Sequence, residues 1–156
     1  MDKLKVYGWE MAIISETYLS TLSEIMSRDG LERYFVPFLH ICSNSGEITQ
    51  KDLAESLKRD KVSVMRIVDY LSEKGFVIRK QNETDRRCQL LEATPQALNL
   101  VQNVKAAITK TNDLLFSQFS EEEREVFESG MNKLMEQIAL LPESNFIIEA
   151  TKREKN

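Results

Sequence analysis

The chain has 156 residues, of which 42% are hydrophobic and 29% charged, and its formal net charge is -4. That length fits one domain, or a small module with helical extensions, and the composition reads as soluble and globular. No apolar run approaches the roughly 20 residues that span a bilayer, and the opening MDKLKVYGWE lacks the apolar core of a signal peptide, so a cytoplasmic address is expected.

From Leu4 to Met26, apolar and aromatic residues (Leu4, Tyr7, Met11, Ile14, Tyr18, Leu22, Ile25, Met26) recur mostly every three or four positions, the period of an amphipathic helix. Gly30 punctuates. Leu31 to Cys42 forms a second apolar segment, in which Pro37 must either kink a helix or mark its first turn. Ser43 to Gly46 is a turn cluster, and Glu47 and Ile48 suit a very short strand. Thr49 is a good helix cap, with Asp52 near the first turn, where negative charge favours the helix dipole. Leu53, Ala54 and Leu57 give that short helix a buried face. After a break at Lys58 and Arg59, Asp60 caps a second helix, Lys61 to Lys74, closed by Gly75. Two short helices joined by a tight turn make a helix-turn-helix.

FVIRKQ then reads as a strand, NETD as a turn and RRCQLLEA as the returning strand. A hairpin at this place makes the arrangement a winged helix-turn-helix. Thr94 and Pro95 open a helix to about Phe116, with Thr as cap and Pro at the first position. Ser120 to Glu123 is a capping box for a last helix, Glu121 to about Leu141, stopped by Pro142. The fold class expected is mainly α with a small β-hairpin wing: a lobe over 31–93, and a helical region from 1–30 plus 94–150. The tail TKREKN is expected to be mobile.

Catalytic and metal-binding signatures are sparse. Cys42 and Cys88 are too few for a disulfide framework, and no Cys/His spacing suggests zinc. There is no glycine-rich phosphate loop and no paired nucleophile and base, so neither enzyme activity, cofactor nor metal is expected. His40, in FVPFLHICS, is explained by packing with one polar contact more readily than by a ligand role.

Residues 58–87 run against the acidic whole, with nine cations and five anions, a net of +4 that leaves -8 for the rest. Val64, Ile67, Val68 and Leu71 define the core face of the helix from Lys61, so Lys61, Ser63, Met65 and Arg66 fall elsewhere, in the half that enters the major groove when a helix-turn-helix docks. Arg66 has the fork to bond guanine O6 and N7, Ser63 a base edge or phosphate, and Met65 a thymine methyl. Each taken alone could equally be a solvated surface residue. Arg86 and Arg87 sit near the hairpin tip, where a narrow minor groove attracts cations, and Asp85 is placed to orient Arg87. Thr49, Lys58, Arg59 and Arg79 complete the candidate contacts to DNA.

At this point the chain resembles the multiple antibiotic resistance regulator (MarR) family of winged helix-turn-helix transcription factors. The likeness rests on DLAESL, on VSVMRIVDYLSEKGFVIR, and on Asp85-x-Arg87 with Thr94 seven residues beyond, and covers roughly residues 31–135. It departs in having Ala93 and Ala97, where family members usually carry Leu and Gly. The resemblance implies a homodimer that interlocks through its terminal helices, reads a palindromic site, and in many members releases DNA when a small aromatic or lipophilic effector binds; a repressor is expected.

Ligand sensing is open at this level. Trp9, Tyr18, Tyr34, Phe35, Phe38 and His40 could line an effector pocket, although aromatic residues at helical spacing are more often core. Among thiols, Cys88 stands beside Arg86 and Arg87, which should lower its pKa and make it the redox candidate. A winged-helix protein-interaction module without DNA binding is the main alternative, and a cysteine-based redox regulator another.

Overall fold

The computed structural model describes residues 5–86, 88–138 and 140. Among them run, in order, α1 (Tyr7–Met26), a 3-10 turn (Ser27–Asp29), α2 (Phe35–Ser43), β1 (Ile48–Thr49), α3 (Gln50–Leu57), α4 (Lys61–Glu73), β2 (Val77–Gln81), β3 (Gln89–Ala93), α5 (Pro95–Leu115) and α6 (Glu121–Ile138). This is the mainly α winged helix-turn-helix that periodicity and capping predict. Leu4, Leu141, Pro142 and the TKREKN tail lie outside the described residues. The ambiguity at Pro37 resolves simply: it is the third residue of α2, where no intrahelical partner is lost by the missing N–H.

The caps that the sequence advertises are made. The Thr49 hydroxyl accepts from Asp52 N at 3.2 Å while Asp52 Oδ2 accepts from Thr49 N at 2.8 Å, a reciprocal box at the start of α3. Asp60 Oδ1 accepts from Ser63 N at 2.9 Å at the start of α4. Thr94 Oγ1 accepts from Ala97 N at 3.2 Å and donates to Gly75 O at 2.8 Å, tying the start of α5 to the end of the α4 segment. Ala97, fully buried, and Ala93 are accommodated at that junction. Ser120 and Glu123 form the box at α6.

The three strands form one antiparallel sheet, ordered β1-β3-β2. Register pairs Val77 with Ala93, Arg79 with Leu91, and Ile48 with Leu91. Strand alternation therefore puts Val77, Arg79, Leu91 and Ala93 on the core face, and Ile78, Lys80, Leu90 and Glu92 on the other.

The chain divides into two compact units, Thr17–Thr111 and the residues up to Glu16 together with those from Asn112. In the first, α1 contributes Leu22 and Met26, α5 contributes Leu100 and Val104, and both join Phe38, Leu53, Val64, Val68, Leu71, Phe76 and Leu91 in one buried cluster. Phe38 and Phe76 meet edge to face, with ring centroids 5.5 Å apart at 81°. Because Phe38 is wholly buried, Phe38→Ala is expected to cost about 3–5 kcal/mol. A urea midpoint lowered accordingly, with the slope unchanged, is the result that checks it.

In the second unit no described residue is buried. There Phe116, Phe119 and Phe127 stack edge to face around the α5–α6 connection. Along α6, Phe127, Met131, Leu134 and Ile138 fall at i, i+4, i+7 and i+11, a continuous apolar stripe that remains 38–56% exposed. No helix among the described residues is long and apolar enough to cross a membrane.

Candidate nucleic-acid interface

Helix α4 buries Val64, Ile67, Val68 and Leu71. At 100° per residue the opposite side begins with Val62, Met65 and Arg66, followed by Asp69. All three leading residues are exposed, as are Lys58, Arg59 and Lys61 just ahead of them. From 58 to 66 there are four cations and one anion. That anion, Asp60, is turned into the helix start, where it accepts from Ser63 Oγ at 2.6 Å and from Ser63 N at 2.9 Å. The bonds from Ser63 hold its carboxyl below the usual carboxylate range. The negative charge is thus retained next to the helix N-terminus, leaving the outward row cationic and apolar.

Not every candidate is equally available. The Ser63 hydroxyl donates to Asp60, and the Thr49 hydroxyl donates to Asp52 Oδ2 at 2.8 Å, so both are committed to capping. Arg79, on the core face of the sheet, closes on Asp69 of α4. With the Gln50 amide oxygen turned toward it, its Nε and Nη2 also donate at 2.8 and 3.1 Å. Arg79 thereby joins β2 to α4 and to the first residue of α3, and holds the wing against the two helices. On the outer face of the hairpin, Lys80 pairs with Glu92 at 3.4 Å.

The wing turn is shaped by Asn82. Its Oδ1 accepts from Thr84 N at 2.9 Å, Thr84 Oγ1 at 2.7 Å and Asp85 N at 3.3 Å. Gln81 Nε2 donates to Arg86 O at 3.0 Å, presenting an exposed Arg86 at the tip. Arg87 lies outside the described residues.

Cys88 corrects an expectation. Its thiol donates to Asp85 Oδ2 at 3.6 Å. The Asp85 charge, with that hydrogen bond, pushes the Cys88 pKa up, where neighbouring arginines were expected to lower it. Burial pushes Cys42 up to about 11. Since the thiolate is the reactive form, both shifts lower the share of each cysteine that is reactive. Asp85→Asn removes the opposing charge, so the thiolate fraction at pH 8 rises; alkylation of Cys88 by iodoacetamide is expected to accelerate, and an unchanged or slower rate would contradict this assignment.

The aromatic candidates fall in different settings. Phe35 and Phe38 are core residues, while Tyr18 and Tyr34 pack against that core. In the other unit, Trp9 is 70% exposed. His40 does border an opening of about 290 Å³ along α2, with Val36, Leu39 and Ser43. Sequence reasoning missed a cationic-aromatic cluster, in which Arg33 lies over the Tyr70 ring at 4.4 Å and Tyr34 meets Tyr70 edge to face at 5.3 Å. It also passed over Val62, whose i, i+4 relation to Arg66 was the available signal.

A helix-turn-helix with an exposed cationic row, followed by a hairpin with an arginine at its tip, defines a winged-helix protein of the DNA-binding class. Residues 37–89 match the MarR family. A protein of Thauera aromatica named for transcriptional regulation of the hcr operon is 25% identical over 118 residues, 76% of this chain and 71% of that one. The crystal structure of MarR is 26% identical, with a TM-score of 0.73, covering 88% of this chain and all of that one. A MarR-family regulator from Listeria monocytogenes, solved in complex with a 26mer DNA, is 25% identical with a TM-score of 0.77, covering 87% and 91%. The match to the MarR family thus covers the helix-turn-helix and the wing as far as Gln89.

Proposed function

We propose that the chain acts in the cytoplasm as a homodimeric repressor on a palindromic site, released by a small aromatic or lipophilic effector. The observation that carries the DNA contact is the outward row of α4, where Met65 and Arg66 are exposed opposite the buried face, with Lys58, Arg59 and Lys61 ahead of them. Arg66 reads a base edge; Lys58, Arg59 and Lys61 hold phosphates. Arg86 and Arg87 reach from the wing into a minor groove, with Asp85 orienting Arg87. Thr49, Ser63 and Arg79 act one step back, by fixing the helices and the wing that carry these groups.

The homodimer is supported by the unit that contains α6, whose apolar stripe remains exposed among the described residues. Here the region 1–30 plus 94–150 supplies the dimer contacts and 31–93 the reading lobe. Two-fold symmetry places the α4 helices roughly 34 Å apart, one turn of B-DNA. For the effector, the opening beside Val36, Leu39 and His40 offers apolar walls with one imidazole. Hydroxyl-radical footprinting on a selected operator tests the reading: two protected half-sites one helical turn apart are expected, whereas a single protected half-site would exclude the symmetric dimer.

A further inference from the structure

The first turns of α4 present an apolar pair in the middle of a cationic surface. Val62 is 55% and Met65 47% exposed. They are three residues apart and so adjacent on the helix, and Val62 stands one turn before Arg66. Folding of the chain gives neither a reason to be apolar: Val62 faces away from the row Val64, Ile67, Val68 and Leu71 that packs the core. The cations around them select a polyanion as the occupant of this face. A lipid surface would fit that charge too, but the narrow ridge of two side chains between cations matches the depth of a groove better than a plane.

We infer that Val62 and Met65 form a reading edge for the C5-methyl groups of thymine, and that the half-site therefore carries thymine opposite the first two turns of α4. This rests on the DNA reading proposed above and sharpens it. Of the groups that base pairs display in the major groove, the thymine methyl is the apolar one. Val62 has no donor or acceptor, so a cytosine amino group or a purine N7 placed against it would lose water and gain no partner. Ser63, which could have read a polar edge, has its hydroxyl on Asp60. Hydrogen-bonding readout in these turns is left to Arg66, and the positions beside it are decided by shape and methyl contact.

The test begins with selection of an operator from random duplexes by the full-length protein. Each thymine of one half-site is then replaced with deoxyuridine, which keeps the base pair and removes the methyl. Each contacted methyl lost is expected to weaken wild-type binding by about fourfold. The double variant Val62→Ala/Met65→Ala should bind the thymine and uracil duplexes alike. Arg66→Ala should bind both less tightly but retain the penalty for uracil. Both apolar residues are exposed, so the double variant is expected to fold as the wild type does, which its thermal unfolding checks. An operator selected without thymine in this region, or equal wild-type binding to both duplexes, overturns the inference and leaves DNA binding intact. A uracil penalty that survives in the double variant also overturns it. Failure to enrich any duplex overturns the DNA reading itself, and the inference with it.

Discussion

Replacing Arg59, Lys61 and Arg66 with alanine is expected to weaken operator binding by roughly 10³-fold near physiological salt, since each charge-assisted contact contributes about 1.5–3 kcal/mol. The slope of log K against log salt should also become shallower, by about 0.9 for every phosphate contact removed. All three side chains are exposed, outside the buried row of α4. Their removal should therefore leave thermal unfolding nearly unchanged, which separates a lost contact from a lost fold. Arg66 is distinguishable from the other two. Arg66→Ala alone should relax the base preference at one position of each half-site, whereas Arg59→Ala and Lys61→Ala should weaken all duplexes by similar factors.

The second large effect concerns α6. Placing aspartate at Leu134 and Ile138 puts two charges into the stripe that is proposed to pair with a second copy. Burying an unpaired carboxylate costs several kcal/mol, more than a modest interface returns. Sedimentation should find a dimer for the wild type and a monomer for the variant. Loss of the paired lobes also removes their mutual effective concentration, so DNA affinity should fall by about 10²-fold or more although no DNA-facing residue has changed. A variant that remains dimeric would place the self-contact elsewhere on the chain.

The fold was legible because its boundaries are written in short-range chemistry. Thr49 with Asp52, Asp60 with Ser63, Thr94 before Pro95 and Ser120 with Glu123 each satisfy backbone groups within three residues, a range over which neighbouring side chains decide the outcome. The core row of α4 follows in the same way from a single period. The candidate site was harder because its details depend on strand register and loop shape. Whether Arg79 faces DNA or the core is set by its pairing with Leu91, a residue twelve positions away, and the register turns it toward Asp69. The Cys88 thiol was judged by its sequence neighbours, Arg86 and Arg87, whereas the turn organised by Asn82 delivers the Asp85 carboxylate to it. For the aromatic residues of α2 the two readings carried the same signal: Phe35 and Phe38 bear the periodicity of a core helix, and they lie in the core.

The central claim is electrostatic and structural at once: a cationic row on α4, held beside the wing by Arg79, meets the backbone and grooves of duplex DNA. Its most direct test is the affinity of the purified protein for a selected operator, titrated from about 50 to 200 mM salt, the interval over which several phosphate contacts change binding by orders of magnitude. The account predicts a linear fall of log K with log salt, and a shallower line for the Arg59, Lys61 and Arg66 triple variant. Parallel lines for wild type and variant, or no binding at the lowest salt, would contradict it.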